Sequence, residues 1–339
     1  MSLKERSKFK KILENTKLSS LLDKVERYDI IQSLNKNAIK FLPNKLYRYR
    51  NFNQYSLNDL KTFTISSSKP SKFDDKNDSL IYINEKDFIK SVCSIRNKIP
   101  LQNWVRQNLN LFKHLNKEQQ LRIKSLANDS HESFSLFLSY IKPRFEKELP
   151  FLIEEAKTYL KNYPFIVCLT DNKYSNQMWQ NYGDNYRGFI IEYDYKNYMH
   201  SCLNCPYEQK CLMKHYEVIF PIIYTSEKFE ARSFLLKYFK EKYSKYFEFA
   251  NKIPIDDELA FYKIMLYKLP EFSFESEWRI ISTCIKKPQI RLKPSAIYAG
   301  KNITIQNFKW LINYCTTNNI SLYKMEEDIE NMLYSEIML

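Results

Sequence analysis

The sequence predicts an α+β fold: a central sheet that carries large helical insertions. Three observations predict it. Strand-like runs are grouped and do not alternate regularly with helices, which argues against a doubly wound parallel sheet. Two blocks of helical periodicity, at about 84–160 and 226–268, interrupt the strand series. The chain has 339 residues, 44% hydrophobic and 16% aromatic, enough to bury a sizeable core.

Residues 1–40 read as an N-terminal helical segment, with Phe9, Ile12, Leu13, Leu21 and Leu22 at helical spacing, and 41–339 as a single α+β domain. "NKLYRYRNF" reads as a strand with Leu46, Arg48 and Arg50 on one face and Tyr47 and Tyr49 on the other. A short helix, "YSLNDLK", precedes a strand from Thr62 to about Ser67 that Pro70 stops. After the first helical block, "FIVCLTD" is an apolar strand buried on both faces, and "QMWQNYGDNYRGFIIEYD" is a helix, a glycine turn and a strand. "VIFPIIYT" is a strand that Pro221 confines to an edge or a bulge. "AIYAG", "IQNFKWLINYC" and "ISLYKM" close the chain as strand, helix and strand.

"FSFESEWRII" is expected to be a strand with Phe272, Phe274, Trp278 and Ile280 toward the core. Its reverse face then carries Glu275, Glu277 and Arg279 at steps of about 7 Å. On general grounds such a face is solvated; the rest of the sequence gives it another use.

Only Gly183, Gly188 and Gly300 occur, which excludes a Walker phosphate loop, a Gly-x-Gly-x-x-Gly fingerprint and a Gly-x-Ser-x-Gly elbow. Each is expected where positive φ or close backbone approach is needed. The formal charge of +14 points to nucleic acid as partner, although Lys- and Asn-rich composition supplies part of it as background. No apolar run is long enough to span a bilayer, and "MSLKERSKFKKILENTKL" lacks the apolar stretch of a signal peptide, so a reducing cytoplasm is expected.

Cys202, Cys205, Cys211 and His215 lie at Cys-x2-Cys-x5-Cys-x3-His spacing in a loop at 200–215. Three thiolates and an imidazole complete a tetrahedral Zn2+ shell with no open position, so the site reads as structural. An iron–sulfur cluster is the alternative, with sulfur-only ligation commoner there. Cys93, Cys168, Cys284 and Cys315 read as small core residues.

Five stretches occur in a recognisable order: "LYRYRNF", "ISSSKPSKFDDKND", "VCLTDNKYSNQMWQNYGDNYRGFIIEYD", "FESEWRII" and "AIYAGKNIT". The chain thereby resembles a bacterial domain-of-unknown-function family. That family's signature is Tyr-[Lys/Arg]-Tyr-Arg, Ser-Ser-Pro-x-x-Phe-Asn-Asp-Pro-Phe-Asp, Met-Trp-x-x-Tyr, Gly-Phe-x-x-Glu-Tyr, Glu-x-Glu-Trp-Arg and Ile-x-x-Gly. The resemblance runs from residue 45 to about 305, leaving out the helical insertions and the cysteine loop. This chain departs from it at Asp74, Asp75, Lys76, Asn77 and Asp78, where the proline is lost. Members often lie near phage-defence genes, which implies a toxin or effector of abortive infection and a protein partner or antitoxin from the same operon.

The order Arg48, Ser66–Ser67–Ser68, Glu275-x-Glu277 also resembles the Arg, Ser-x-Ser and Glu-x-Glu set of the mono-ADP-ribosyltransferases. That resemblance implies a small split sheet and NAD as substrate. Glu277 would stabilise the ribosyl cation and hold the ribose 2′-hydroxyl, and Glu275 would orient or deprotonate the acceptor. Arg48, beside Tyr47, would pair with the pyrophosphate, Ser66 or Ser67 would brace the nicotinamide ribose, and Trp179 or Tyr182 would stack on a base. Each has a structural alternative: Arg48 as an ion-pair partner of Glu275 or Glu277, the serines as surface residues, Trp179 and Tyr182 as core. Two other functions compete. One is a Mg2+-dependent nuclease using Asp75, Asp78 and Glu192 or Glu277. The other is a non-catalytic module that binds nucleic acid or a protein.

Overall fold

A computed structural model describes residues 1–73, 75, 78–79, 81–94, 97–128, 134–198, 219–244, 250, 253–282, 290–326 and 334–337. The proposed metal ligands Cys202, Cys205, Cys211 and His215 lie outside the described residues, as does Cys284. The described chain is mixed α+β. Its strands are β1 (Leu46–Arg50), β2 (Thr64–Ile65), β3 (Ile81–Tyr82), β4 (Phe165–Thr170), β5 (Phe189–Tyr193), β6 (Ile219–Pro221), β7 (Ile223–Tyr224) and β8 (Phe229–Glu230). β9 (Tyr267–Lys268), β10 (Glu277–Ser282), β11 (Ile290–Arg291), β12 (Ala296–Ala299), β13 (Ser321–Met325) and β14 (Tyr334–Ile337) follow. The helices used below are α1 (Leu3–Asn15), α2 (Lys24–Phe41), α3 (Gln54–Thr62), α4 (Glu85–Val92), α5 (Lys98–Gln107), α6 (Lys117–Asn128), α7 (Phe134–Asn162) and α8 (Asn176–Tyr182).

Among the described residues one sheet has eight strands, in the order β14-β13-β12-β5-β1-β4-β10-β6, larger than the small sheet expected. It is mixed: β12 and β13 run parallel, the other neighbours antiparallel. β6 lies at one edge, where Pro221 costs no ladder hydrogen bond. The N-terminal segment is two helices, each started by a capping box, Ser2 with Glu5 and Asp23 with Glu26. The first insertion is helical as its periodicity requires, and α7 runs through Pro143 and Pro150 without a break. No helix among the described residues is long and apolar enough to cross a membrane.

One join in the sheet is weak. β1 makes five register pairs with β5 but a single one with β4, Tyr47↔Thr170. Beyond Tyr47 the strands part, and Ser68 pairs with Ile166 instead. Following the register from Tyr47 through Thr170 to Glu277 puts Tyr47, Tyr49, Cys168, Glu277 and Arg279 on one face. Arg48 and Arg50 therefore lie on the other.

Two strand expectations need correcting. The strand after α3 spans only Thr64–Ile65, because Ser66 to Ser68 leave it to reach β4. The chain over Pro270–Glu275 is a 3-10 helix, and β10 starts at Glu277. Phe272 and Phe274 are therefore only half-buried, not core strand residues. Pro270 sets the φ of the turn, and Ser276, at φ 46°, ends it in the left-handed region at a cost of about 1 kcal/mol. The glycines serve close approach and not positive φ. A Cβ on Gly188 would lie 2.1 Å from the Arg50 carbonyl oxygen, and one on Gly300 2.1 Å from that of Tyr186.

Candidate active site

Where β1 and β4 part, a cleft of about 270 Å3 opens between them. It is lined by Tyr47, Arg48, Tyr49 and Arg50 in succession, although neighbours on a strand point to opposite faces. Only a slot running through the sheet between two strands reaches all four. Ile166, Cys168, Leu169 and Thr170 form the facing wall.

The acid end is built by β10, the 3-10 turn, β9 and α8. Arg279 is buried at 1% exposure. Its Nε donates to Glu277 Oε1 (2.8 Å), and Nη2 to Glu277 Oε2 (3.1 Å) and Asp78 Oδ2. Nη1 donates to Asp78 Oδ1 (2.8 Å) and the Met265 carbonyl (2.7 Å). All five guanidinium N–H groups are used, which is how a buried charge is kept. Lys268 is held by β9, which pairs with β7 at Tyr224↔Lys268. Its Nζ lies 2.6 Å from Glu275 Oε2, 3.4 Å from Glu277 Oε2 and 3.8 Å from Asp78 Oδ2. Tyr182, the last residue of α8, donates its phenol to Glu275 Oε1 at 2.9 Å.

Three carboxyls thus share two cations, Lys268 and Arg279. The cluster is neutral only if one carboxyl keeps its proton. Burial and then the Glu277 charge push Glu275 up to about 7, against the pull of Lys268 and Tyr182. Burial acts to raise Glu277 too, but Arg279 and Lys268 overcome it and hold that carboxyl far below the usual range. Two carboxyls with pKa values pushed apart are the arrangement expected of an acid–base pair. Burial and the Glu277 charge raise the Cys168 thiol well above its ordinary value, so it stays protonated.

The slot gathers Tyr47, Arg48, Tyr182, Glu275 and Glu277. Ser68 lines it; Ser66 and Ser67 do not. Ser66 Oγ accepts from Arg50 Nη2 at 3.2 Å, and Ser67 is buried. Trp179 has no exposed surface: it meets Tyr49 edge-on (5.3 Å) and Tyr186 face-on (5.7 Å), so it packs α8 on the sheet, out of a ligand's reach. Arg48 pairs with neither Glu275 nor Glu277; Arg279 and Lys268 do. Of the candidate Mg2+ ligands, Asp78 and Glu277 share Arg279, and Asp75 lines the slot. Glu192 does not line the slot: it stands beside Tyr47 across the β1–β5 pair and is bound by Tyr298 (2.7 Å) and Ser295 (2.8 Å). Among the described residues no group of three or more His, Cys, Asp or Glu is placed to hold a metal ion.

Sequence reasoning did not assign Lys268 or Arg50. Lys268 had no signal, since its partners are fixed by tertiary structure. Arg50 had one: it stands two residues after Arg48, on the same strand face.

A family model described as a protein of unknown function (DUF2971) matches residues 178–280. No curated protein and no solved structure matches the chain. The matched stretch carries Tyr182, Lys268, Glu275, Glu277 and Arg279 and stops short of Arg48 and Arg50: over these residues, less than a third of its length, the chain is similar to the DUF2971 family.

Proposed function

We propose that the slot is an active site for transfer of ADP-ribose from NAD, with Glu275 as its base, in an effector of bacterial anti-phage defence. The observation that carries this reading is a pair of buried carboxyls in the slot, Glu275 and Glu277, that share Lys268 while Tyr182 holds the first and Arg279 the second; burial and the Glu277 charge raise Glu275, and Arg279 and Lys268 lower Glu277. In the reaction the C1′–N bond breaks and its electron pair leaves with neutral nicotinamide. The ribosyl cation is attacked by an acceptor hydroxyl, whose proton passes to Glu275. With Glu275 ionised the acid end carries one surplus negative charge, which favours the developing cation. Glu277, already bound along both oxygens by Arg279, keeps Glu275 basic and does not itself hold the 2′-hydroxyl. Tyr182 orients Glu275 and does not stack on the ligand. The slot is just below the usual range of about 300–1,000 Å3 for ligand sites, so it encloses the reacting part of the dinucleotide. The charge of +14 supports a nucleic-acid acceptor.

The test is nicotinamide release and label transfer from NAD to DNA, RNA or protein. Wild type is expected to transfer, most at low salt, and Glu275→Gln to lose about 10²–10⁴-fold. Wild type that never releases nicotinamide with any of these acceptors overturns the reading. Binding of nucleic acid without turnover would instead favour the non-catalytic module.

A further inference from the structure

We infer that helix α1 is a docking surface for the phosphate backbone of a nucleic acid, made by Lys4, Lys8 and Lys11. The inference rests on the nucleic-acid partner of the reading above and names the surface that holds it. It needs neither NAD nor the chemistry of the slot.

Each helical residue turns about 100° and rises about 1.5 Å. Arg6, Phe9 and Leu13 therefore share one side of α1, and all three are buried. Lys4, Lys8 and Lys11 share the opposite side, in a row about 10 Å long, and all three are exposed. Among the described residues none of these lysines makes an ion pair or a side-chain hydrogen bond, whereas Lys10, off the row, pairs with Glu14 and Glu227. The acids of the helix are engaged elsewhere. Glu5 accepts from the Ser2 amide (2.8 Å) and hydroxyl (2.9 Å) as part of the cap, and Lys8 adds only a weak pull on it. Glu14 accepts from the Tyr267 phenol at 2.7 Å. Lysines three and four residues apart repel, and Lys4 stands in the first turn, where the helix dipole disfavours a cation. The free helix thus holds three like charges that nothing in the described fold offsets.

The chemistry of this surface selects the polyanion. A helix that lies in a membrane turns an apolar face to the lipid, but Phe9 and Leu13 are buried in the core and only Leu3 among the apolar residues of α1 is exposed. A protein interface centres on aromatic or arginine anchors and is poor in lysine. A row of ammonium groups with no anchor beside it suits phosphates, which are contacted as charges without readout of the bases. The net charge of +14 has the sign that such a partner requires. The buried side of α1 ties this surface to the slot. Arg6 donates to the carbonyls of Ile222 (2.8 Å) and Glu277 (2.9 Å), and to Ser276 Oγ and Asp171 Oδ2 (3.3 Å each). The lysine row is thereby fixed relative to the start of β10, which carries Glu277.

The experiment measures fluorescence anisotropy of a short labelled oligonucleotide, single-stranded and duplex, as DNA and as RNA, with the full chain over a range of salt. Wild type is compared with the triple variant Lys4→Gln, Lys8→Gln, Lys11→Gln and with the corresponding triple Arg variant. A control, Lys113→Gln with Lys117→Gln and Lys124→Gln, removes the same charge from exposed lysines of the first helical insertion. Wild type is expected to bind at low salt, and whichever form it binds best assigns the partner. The α1 Gln variant is expected to bind about tenfold or more weakly at low salt. Its slope of log affinity on log salt should be smaller by about 2–3, for three phosphate contacts at about 0.7–0.9 each. The Arg variant and the control should stay near wild type. No binding by wild type at low salt, or an equal loss in the α1 Gln variant and the control, overturns the surface. So does adhesion to anionic lipid vesicles that the α1 Gln variant abolishes while its nucleic-acid affinity is unchanged. If the triple variant does not fold, Lys8→Gln decides: a slope smaller by about 0.7–0.9 supports the surface and an unchanged slope overturns it. Binding that depends on α1 without nicotinamide release keeps this surface and removes NAD transfer; nicotinamide release with binding indifferent to α1 does the reverse.

Discussion

Arg279 and Arg48 stand two strands apart in one sheet, both buried, and they differ in what surrounds them. Arg279 spends every donor on Glu277, Asp78 and the Met265 carbonyl. Arg48 Nη1 is buried and has no such partner among the described residues. The lesson concerns what a buried charge is for. A charge whose donors are all satisfied within the fold holds that fold together, and its loss leaves its partners stranded. A buried charge with a donor left over costs the free protein desolvation that its own contacts do not offset.

Removing the satisfied charge is expected to have the largest effect. Arg279→Met leaves Asp78 and Glu277 buried without their shared cation and should cost on the order of 3–5 kcal/mol in chemical denaturation. A loss below about 1 kcal/mol would break the comparison from that side. Arg48→Met should move the other way, gaining about 1–3 kcal/mol, because an apolar side chain of similar length replaces a buried charge that has an unsatisfied donor among the described residues. A destabilised Arg48→Met would show that its charge is paired in solution.

Glu275→Gln sharpens the contrast through pH. The folded-state value of about 7 lies above the ordinary 4.5, so the folded chain holds an extra proton between them and loses stability as pH rises through that window. The variant should therefore match wild type below pH 4.5 and exceed it above pH 7, by on the order of 3 kcal/mol. Denaturation at both ends of that range checks the sign. Tyr182→Phe is the smallest change. Losing the bond to Glu275 should cost about 1 kcal/mol and raise the carboxyl further, since that bond lowers it. A downward shift would mean that the phenol is not the donor.

Much of this arrangement was legible in the sequence, and the part that was not has physical causes. The alternation in "LYRYR" put Tyr47 and Tyr49 opposite Arg48 and Arg50, and the strand formed that way. Pro221 foretold an edge. Glu275 and Glu277 were correctly read as lying together, but for the wrong reason. They meet because the turn ending at Ser276 swings Glu275 back to Lys268, and not because one strand carries both. A single left-handed residue leaves almost no trace in hydrophobic periodicity. Trp179 and Tyr182, three apart on one helix, looked equivalent, and only packing separates the buried Trp179 from the Tyr182 that reaches the slot. The slot itself depends on where β1 and β4 stop pairing, which is a property of two segments more than 110 residues apart.

The central claim is that the slot holds one carboxyl ready to take a proton at neutral pH, and it can be tested without knowing the substrate. Carbon-13 NMR of side-chain carboxyls, with Glu275 assigned by its disappearance in Glu275→Gln, gives its titration midpoint directly. A midpoint near 7 is expected, falling in Glu277→Gln, where the neighbouring charge that raises it is gone. A midpoint near the ordinary 4.5, unmoved by that substitution, would contradict it.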